Sequence, residues 1–445
     1  MLTPAENELL TRTGPGTQMG DLFRQYWLPV LMSEELPEPD CPPKRVKVLS
    51  ENLLAFRDSD NNVGLIDPRC PHRGADLFYG RNEEGGIRCV YHGWKFDFRG
   101  NCLEVPTAKD APNHDGICRR ARLRHYPTQE RCGMIWAYLG PNAEPPPMPM
   151  LEVTSLPPSY FHVGKKLQQC NWAQAVEGGL DTAHFSFLHM AVSDNETERA
   201  QIMSNSEAAA SGDLDRLRWL TYPSPAYTVL DHDAGLVLGA ARPADEGNLY
   251  WRITQFLMPS INLSPSTMPG ENYQAQLRVP IDDESCWVYC YAWNPDRPLT
   301  EIERKRYRGS HSVFAEVDEN YIPIRNRNNN YLINRTDQKH KSYTGIVGVS
   351  EQDAFIQDSQ GFIHDRTREL LGSTDVGITR FRRYVLGEAK SLAEGKIPRG
   401  VRHPEAFAVR AGGALAPATM PLTEVMIHRF GDRLGRIGVM SNPAA

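Results

Sequence analysis

Two short cysteine–histidine pairs, Cys70-Pro71-His72 and Cys89-Val90-Tyr91-His92, constrain this chain more than any other feature. Two thiolates and two imidazoles brought together form a metal-binding set. Two cysteines on one iron and two histidines on the other hold a [2Fe–2S] cluster in which imidazole replaces thiolate and raises the reduction potential. Zinc accepts the same four donors in a structural site. Each pair here mixes one cysteine with one histidine, whereas zinc fingers group like with like, so the pattern favours a cluster. The flanking residues suit a cluster seated on two loops: Gly74 follows the first pair and Gly93-Trp94 the second.

With 445 residues the chain is long enough for two domains or one large composite. A net charge of −6 provides no electrostatic footprint for nucleic acid. No apolar stretch reaches the length of a membrane span. The opening Thr3-Pro4-Ala5-Glu6 reads as a capped helix start, with Thr3 at the N-cap, rather than as a signal peptide. The cysteines outside the two pairs show no framework spacing, which fits a reducing cytoplasm.

Residues 46–66 alternate apolar and polar around the turn-rich Asp58-Ser59-Asp60-Asn61-Asn62, which predicts a β-hairpin feeding the first cysteine loop. After the second loop, Lys95-Phe96-Asp97-Phe98 alternates into a turn at Arg99-Gly100-Asn101, and Met134 to Leu139 read as a closing strand. The proline-rich stretch 141–158 marks a boundary. An all-β cluster domain is therefore placed at 41–150, with residues 1–40 packing on the domain that follows, 159–445.

A second chemical site lies just past that boundary. On a continuous helix, Glu177, Asp181, His184 and Leu188 would share one stripe. His189 would fall well off it, at about 100° of rotation per residue. Both imidazoles reach one metal only if the helix ends or distorts between them. Taken alone, two histidines five apart are weak evidence of a site.

Together, the motifs C-P-H-R-G-A-D, C-x-Y-H-G-W-K-F and N-W-x4-E-G-x2-D-x2-H-x4-H, with the later Asp358-Ser359-Gln360-Gly361, resemble the oxygenase component of Rieske non-haem iron oxygenases of the phthalate dioxygenase type. Neither cysteine loop carries the additional cysteine that forms a bracing disulfide in respiratory Rieske proteins. The resemblance implies an α+β chain: an N-terminal all-β Rieske domain holding [2Fe–2S] on Cys70, His72, Cys89 and His92, and a C-terminal helix-grip catalytic domain with an antiparallel sheet. It implies a mononuclear Fe(II) on His184, His189 and a downstream carboxylate, a facial triad that leaves positions open for O2 and substrate. Asp353 is preferred for that carboxylate because the family's ligand is followed five residues later by another acid, matched here by Asp358; Asp358 and Glu351 are the alternatives. Asp181 is implied to bridge the iron site to a cluster histidine of a neighbouring subunit, which requires a homotrimer or hexamer.

The resemblance further implies oxidation of an aromatic carboxylate by cis-dihydroxylation, with monooxygenation or oxidative O-demethylation as the alternative. An electron-transfer protein that uses the cluster alone is the reading of another class. No G-x-G-x-x-G fingerprint follows a strand, so a separate NAD(P)H-dependent flavin/iron–sulfur reductase must supply electrons. Arg218, Arg242 and Arg252 are candidates for holding a substrate carboxylate, with Arg242 preferred. Residues 192–215 and 320–345 read as loops near the pocket mouth, and 379–395 as an amphipathic helix. Residues beyond 400 have no assigned purpose.

Overall fold

The computed structural model describes residues 1–110, 112–192, 219, 222–265, 268–431 and 433. At the N-terminus, Thr3 caps the helix Pro4–Thr11 as its sequence predicts: its hydroxyl accepts from the Glu6 amide, and the Glu6 carboxylate accepts from the Thr3 amide. That helix and the next, Gln18–Phe23, pack against the long helix Val376–Ala393 of the second domain. The strand Trp27–Met32 then leaves them to pair antiparallel with Met134–Tyr138, whose other neighbour is Thr128–Arg131.

The predicted hairpin is present. Glu51–Arg57 pairs with Val63–Ile66 across the Asp58–Asn62 turn, and Lys44–Val48 extends the sheet on the other side. A four-stranded sheet, Arg81–Glu83, Gly86–Arg88, Lys95–Phe96 and Cys102–Glu104, carries the second cysteine loop between its middle strands. Leu54, Phe56, Ile66, Leu77, Ile87 and Phe96 form a small separate core beneath both loops.

The second domain is built on an eight-stranded antiparallel sheet. Its order runs Phe161–Gln168, Cys286–Trp293, Tyr273–Pro280, Ile261–Ser264, Asn248–Leu257, Gly235–Pro243, Ala226–His232. Asn248–Leu257 is long enough to serve two partners on one edge. Its last residues pair with Ile261–Ser264 and its first half with Gly412–Pro417. Residues past 400 thus complete the sheet, and the helix Leu422–Phe430 covers it. This explains why the run Gly235-Leu-Val-Leu-Gly-Ala-Ala is apolar at every position instead of alternating. Leu236 and Leu238 join the main core with Phe381, while Val237 and Ala241 pack with Val425 and Met426 on the other face.

One hydrophobic core joins the two domains, from Val46 and Leu53 to Leu277 and Tyr291. The junction is also tied through the backbone: the amides of Leu49 and Ser50 donate to the carbonyls of Pro280 and Ile281, each at 2.9 Å. Among the described residues, no helix is long and apolar enough to cross a membrane.

Candidate metal centres and active site

The two cysteine loops close with the same pair of hydrogen bonds. The Cys70 amide donates to Ala75 O and its carbonyl accepts from Gly74; the Cys89 amide donates to Trp94 O and its carbonyl accepts from Gly93. Gly74 and Gly93 sit at φ +73° and +76°, a turn conformation that side chains with a Cβ resist. Both cysteines are buried, and the His72 and His92 rings meet edge to face with centroids 4.4 Å apart. His72 is held flat against Trp94, at 4.5 Å and 5° between planes.

These residues fit an iron–sulfur cluster. His92 Nδ1 is buried and has no hydrogen-bond partner among the described residues, as a nitrogen reserved for a metal would be. Burial pushes the Cys70 thiol up to about 11, so its thiolate form calls for a metal's positive charge. All nine cysteines are free of disulfides, in agreement with loops that lack the additional bracing pair.

The second site differs from the continuous helix on which its residues were aligned. The helix Trp172–Leu180 stops before the ligands, and Asp181 is its extended C-cap. The Asp181 amide makes the last helical bond, to Glu177 O, while its Oδ1 accepts from the Ala183 amide at 2.7 Å. A single tight turn at His184–Ser186 follows, and it is this early break that lets His184 and His189 converge. Their Nε2 atoms are 3.2 Å apart. The helix Val349–Ser359 brings Asp353 Oδ1 to 3.5 Å from His184 Nε2 and 3.2 Å from His189 Nε2. Bonds of about 2.1 Å meeting at right angles would place three donors about 3 Å apart, so the triad fits one metal ion. Asp353 Oδ1, though buried, is in hydrogen-bonding geometry with no group among the described residues.

Each imidazole has a different companion. His184 Nδ1 faces Asp181 Oδ2 at 3.5 Å, and His189 Nδ1 faces Gln352 Oε1 at 2.7 Å. Burial opposes charge on Asp181, but the hydrogen bond and charge of His184 together with the Ala183 and His184 amides outweigh it and hold this carboxyl below the usual range. The Asp353 carboxyl is likewise held low: burial raises it, and the nearby histidines more than compensate. The alternative acids are occupied elsewhere. Asp358 accepts from Tyr331 Oη, and Glu351 accepts from Ser310 Oγ.

Close packing explains the glycine pair in the first site helix. A Cβ on Gly178 would lie 2.0 Å from Gln357 Nε2, on the helix that carries Asp353. Gln357 is itself buried and bonded to Gln168, so it cannot step aside freely. Gly178→Ala is expected to destabilise the protein by about 1–3 kcal/mol through overpacking, which thermal denaturation beside the parent would measure.

Two cavities flank the triad. The inner one, about 70 Å³, is bounded by His184, His189 and Asp353 on one side and by Arg252, Thr254, Asn262 and Gln276 on the sheet side. The outer one, about 450 Å³, opens beside Asp181 and is rimmed by Phe187, Tyr343, Ile356 and Leu371. Arg242 lines neither of these two cavities: fully buried, it donates to the carbonyl and hydroxyl of Thr182 and so braces the turn beside Asp181. Arg252 is the arginine that reaches the inner cavity, its guanidinium 4.9 Å from the Phe185 ring. Arg218 and nearly all of the 192–215 stretch lie outside the described residues. The 320–345 stretch contains a short helix, Arg335–His340, and supplies Gln338, Tyr343 and Thr344 to the outer cavity.

Comparison with known proteins agrees with this geometry. Residues 26–127 match the Rieske [2Fe-2S] domain model, and residues 137–422 match the model described as LigXa C-terminal domain like. The 3-chlorobenzoate-3,4-dioxygenase oxygenase subunit of Comamonas testosteroni is 35% identical, covering 94% of this chain and 96% of its own.

This chain belongs to the Rieske non-haem iron oxygenases.

The phthalate 4,5-dioxygenase oxygenase subunit of Pseudomonas putida is 37% identical over 90% of this chain and 89% of its own. The 5,5'-dehydrodivanillate O-demethylase oxygenase subunit of Sphingobium sp. is 30% identical over 90% of this chain and 84% of its own. Among solved structures, dicamba monooxygenase bound to dicamba shares the fold, with a TM-score of 0.57 at 18% identity, covering 84% of this chain and 99% of its own. As a Rieske oxygenase of the phthalate dioxygenase type, the chain is an oxidoreductase whose cofactors are a [2Fe–2S] cluster and a mononuclear iron. The cluster match excludes the structural-zinc alternative, and the catalytic-domain match with its His/His/Asp triad disfavours an electron carrier.

Sequence reasoning missed two features of the site. Gln352 carries no motif signal beyond its place immediately before Asp353. The partners of Glu177 are Arg366 and Arg382, far along the chain, which no local spacing could identify.

Proposed function

We propose that this Rieske oxygenase cis-dihydroxylates an aromatic carboxylate, adding both atoms of O2, two electrons and two protons across one ring double bond. Cys70, His72, Cys89 and His92 hold the cluster, and His184, His189 and Asp353 hold the iron. The observation that carries the substrate reading is the pair of cavities flanking the triad: the outer, about 450 Å³, has room for a substituted ring, and the inner places a buried arginine, Arg252, across from the triad. A guanidinium in that position attracts a carboxylate by its charge and turns the ring toward the metal. When bound, the metal centres supply electron delivery and dioxygen activation. The chain's own residues place the ring and exclude water.

The dioxygenase relatives, named for 3-chlorobenzoate and phthalate, favour this chemistry over O-demethylation. Electrons come from a separate NAD(P)H-dependent reductase, in the cytoplasm. Asp181 links His184 to His92 of the partner subunit in a cyclic homotrimer or a hexamer of such rings. Supporting that assembly, the cluster tip exposes Val90 and Tyr91 beside Arg73, while the outer cavity beside Asp181 exposes Phe187, Tyr343 and Ile356 near Glu369 and Asp375.

Aerobic turnover of benzoates and phthalates with a reductase, followed by product mass, tests the reaction. Gain of two oxygens and two hydrogens is the expected result; gain of one oxygen, or loss of a methyl group, would overturn dihydroxylation. Arg252→Gln is expected to raise KM for carboxylated substrates by about 10–100-fold, the worth of a buried charge-assisted hydrogen bond, and to leave a neutral arene unaffected. Analytical ultracentrifugation checks the oligomer.

A further inference from the structure

We infer that Gln352 is a positioning residue that fixes the proton of His189 on Nδ1 and so keeps Nε2 open for iron. The inference rests on His189 being an iron ligand. Gln352 and Asp353 are consecutive on one helix and address opposite sides of the same ring: Gln352 Oε1 lies 2.7 Å from Nδ1, and Asp353 Oδ1 lies 3.2 Å from Nε2.

The orientation of the amide is settled by its other end. Nε2 of Gln352 is 2.7 Å from the carbonyl of Ile346, which can only accept, so this end is the NH2 group. The end facing His189 is then the oxygen, and His189 must donate to it from Nδ1. Both side chains are buried, so water offers no substitute partner.

Consider the ring without this acceptor. A proton on Nε2 would point at Asp353 Oδ1, and the resulting hydrogen bond would occupy two ligand atoms at once. With the proton of a neutral His189 held on Nδ1 by Gln352, Nε2 and Asp353 Oδ1, 3.2 Å apart, each keep a lone pair for the metal. A neutral amide also directs His189 without adding charge, whereas His184 faces the carboxylate of Asp181. The two imidazoles are therefore held by chemically distinct means.

The test uses cluster-loaded enzyme stripped of its mononuclear iron and titrated anaerobically with Fe(II), with bound iron read by equilibrium dialysis. Gln352→Met keeps the length of the side chain and removes the acceptor. It is expected to weaken Fe(II) binding by about 10–100-fold, the usual cost of losing the group that orients a metal-bound histidine. Gln352→Asn, which draws the oxygen out of reach, should show the same loss and serves if the methionine variant does not fold. Gln352→Glu restores an acceptor and should bind to within about threefold of the parent. Cluster absorbance reports folding throughout. Parent-like affinity in the methionine or asparagine variant overturns the inference, as does equal weakness of the glutamate variant. In His189→Ala, undiminished iron binding would refute the ligand assignment itself. Loss of iron there, together with parent-like affinity in Gln352→Met, refutes only the role of Gln352.

Discussion

Asp181→Asn is expected to lower coupled turnover by about 100-fold, the upper end of the range for groups that orient metal ligands, with cluster absorbance unchanged and mononuclear iron restored to the parent content by added Fe(II). The reason lies in how the carboxylate is divided. One oxygen is fixed by the Ala183 amide at 2.7 Å and the other faces His184 Nδ1 at 3.5 Å. If the asparagine carbonyl keeps the Ala183 bond, its NH2 group turns toward the histidine and sets donor against donor. The charge that favours a protonated Nδ1 disappears at the same time. Rapid mixing of reduced enzyme with O2 and substrate isolates the affected event: cluster reoxidation should slow in step with turnover, while reduction by the reductase stays normal. Reoxidation at the parent rate would remove Asp181 from the electron route.

Glu177→Ala is expected to produce the largest loss of stability, about 3–5 kcal/mol, the cost of leaving a buried ion pair without one partner. Glu177 accepts from Arg366 at 2.9 Å and Arg382 at 2.7 Å, and both arginine side chains are almost wholly buried. Arg382 also pairs with Glu369, which accepts from His364, and Arg366 reaches Asn7 of the first helix. The network thus ties the N-terminal segment, the long helix and the helix that ends at Asp181. Scanning calorimetry at neutral pH should show a clearly lower Tm.

The same network sets acid sensitivity. Burial pushes Glu369 up, but His364 and Arg382 outweigh it and hold the carboxyl at about 2, below its ordinary 4.5; Glu177 is also held low. Because these folded values are depressed, their stabilising contribution is complete above about pH 4.5 and lost as pH falls toward 2. Glu369→Gln should lower Tm at neutral pH and flatten its decline between pH 5 and about 3. An unchanged acid profile would assign acid sensitivity to other groups.

Features encoded locally were legible in the sequence, and those assembled from distant parts were not. The cysteine loops could be read because each is a short turn whose ligands, glycine and closing hydrogen bonds lie within six residues. The hairpin at 46–66 followed from local alternation and the helix near 379–395 from its amphipathic composition, and the structure places them at Glu51–Ile66 and Val376–Ala393. The stripe through Glu177, Asp181, His184 and Leu188 misled because periodicity cannot report that a helix stops at Leu180. Convergence of the triad depends on that stop and on a second helix far downstream. Arg242 and Arg252 are indistinguishable by composition, since both lie on apolar strands. Both project from one face of the sheet, Arg242 opposite Tyr250 and Arg252 opposite Ala240, and their different environments come from their positions along that face, a property of strand register. The closing strand Gly412–Pro417 could not be placed because its partner, Asn248–Leu257, is remote in the chain.

The backbone bonds from Leu49 and Ser50 to Pro280 and Ile281 limit how such enzymes can be recombined. The cluster module is not a plug-in cartridge. A hybrid that takes residues 41–150 from a relative must also inherit the matching 280–281 corner and the apolar seam beneath it, or its redox module will sit askew. Successful hybrids should therefore have crossovers that keep this seam whole.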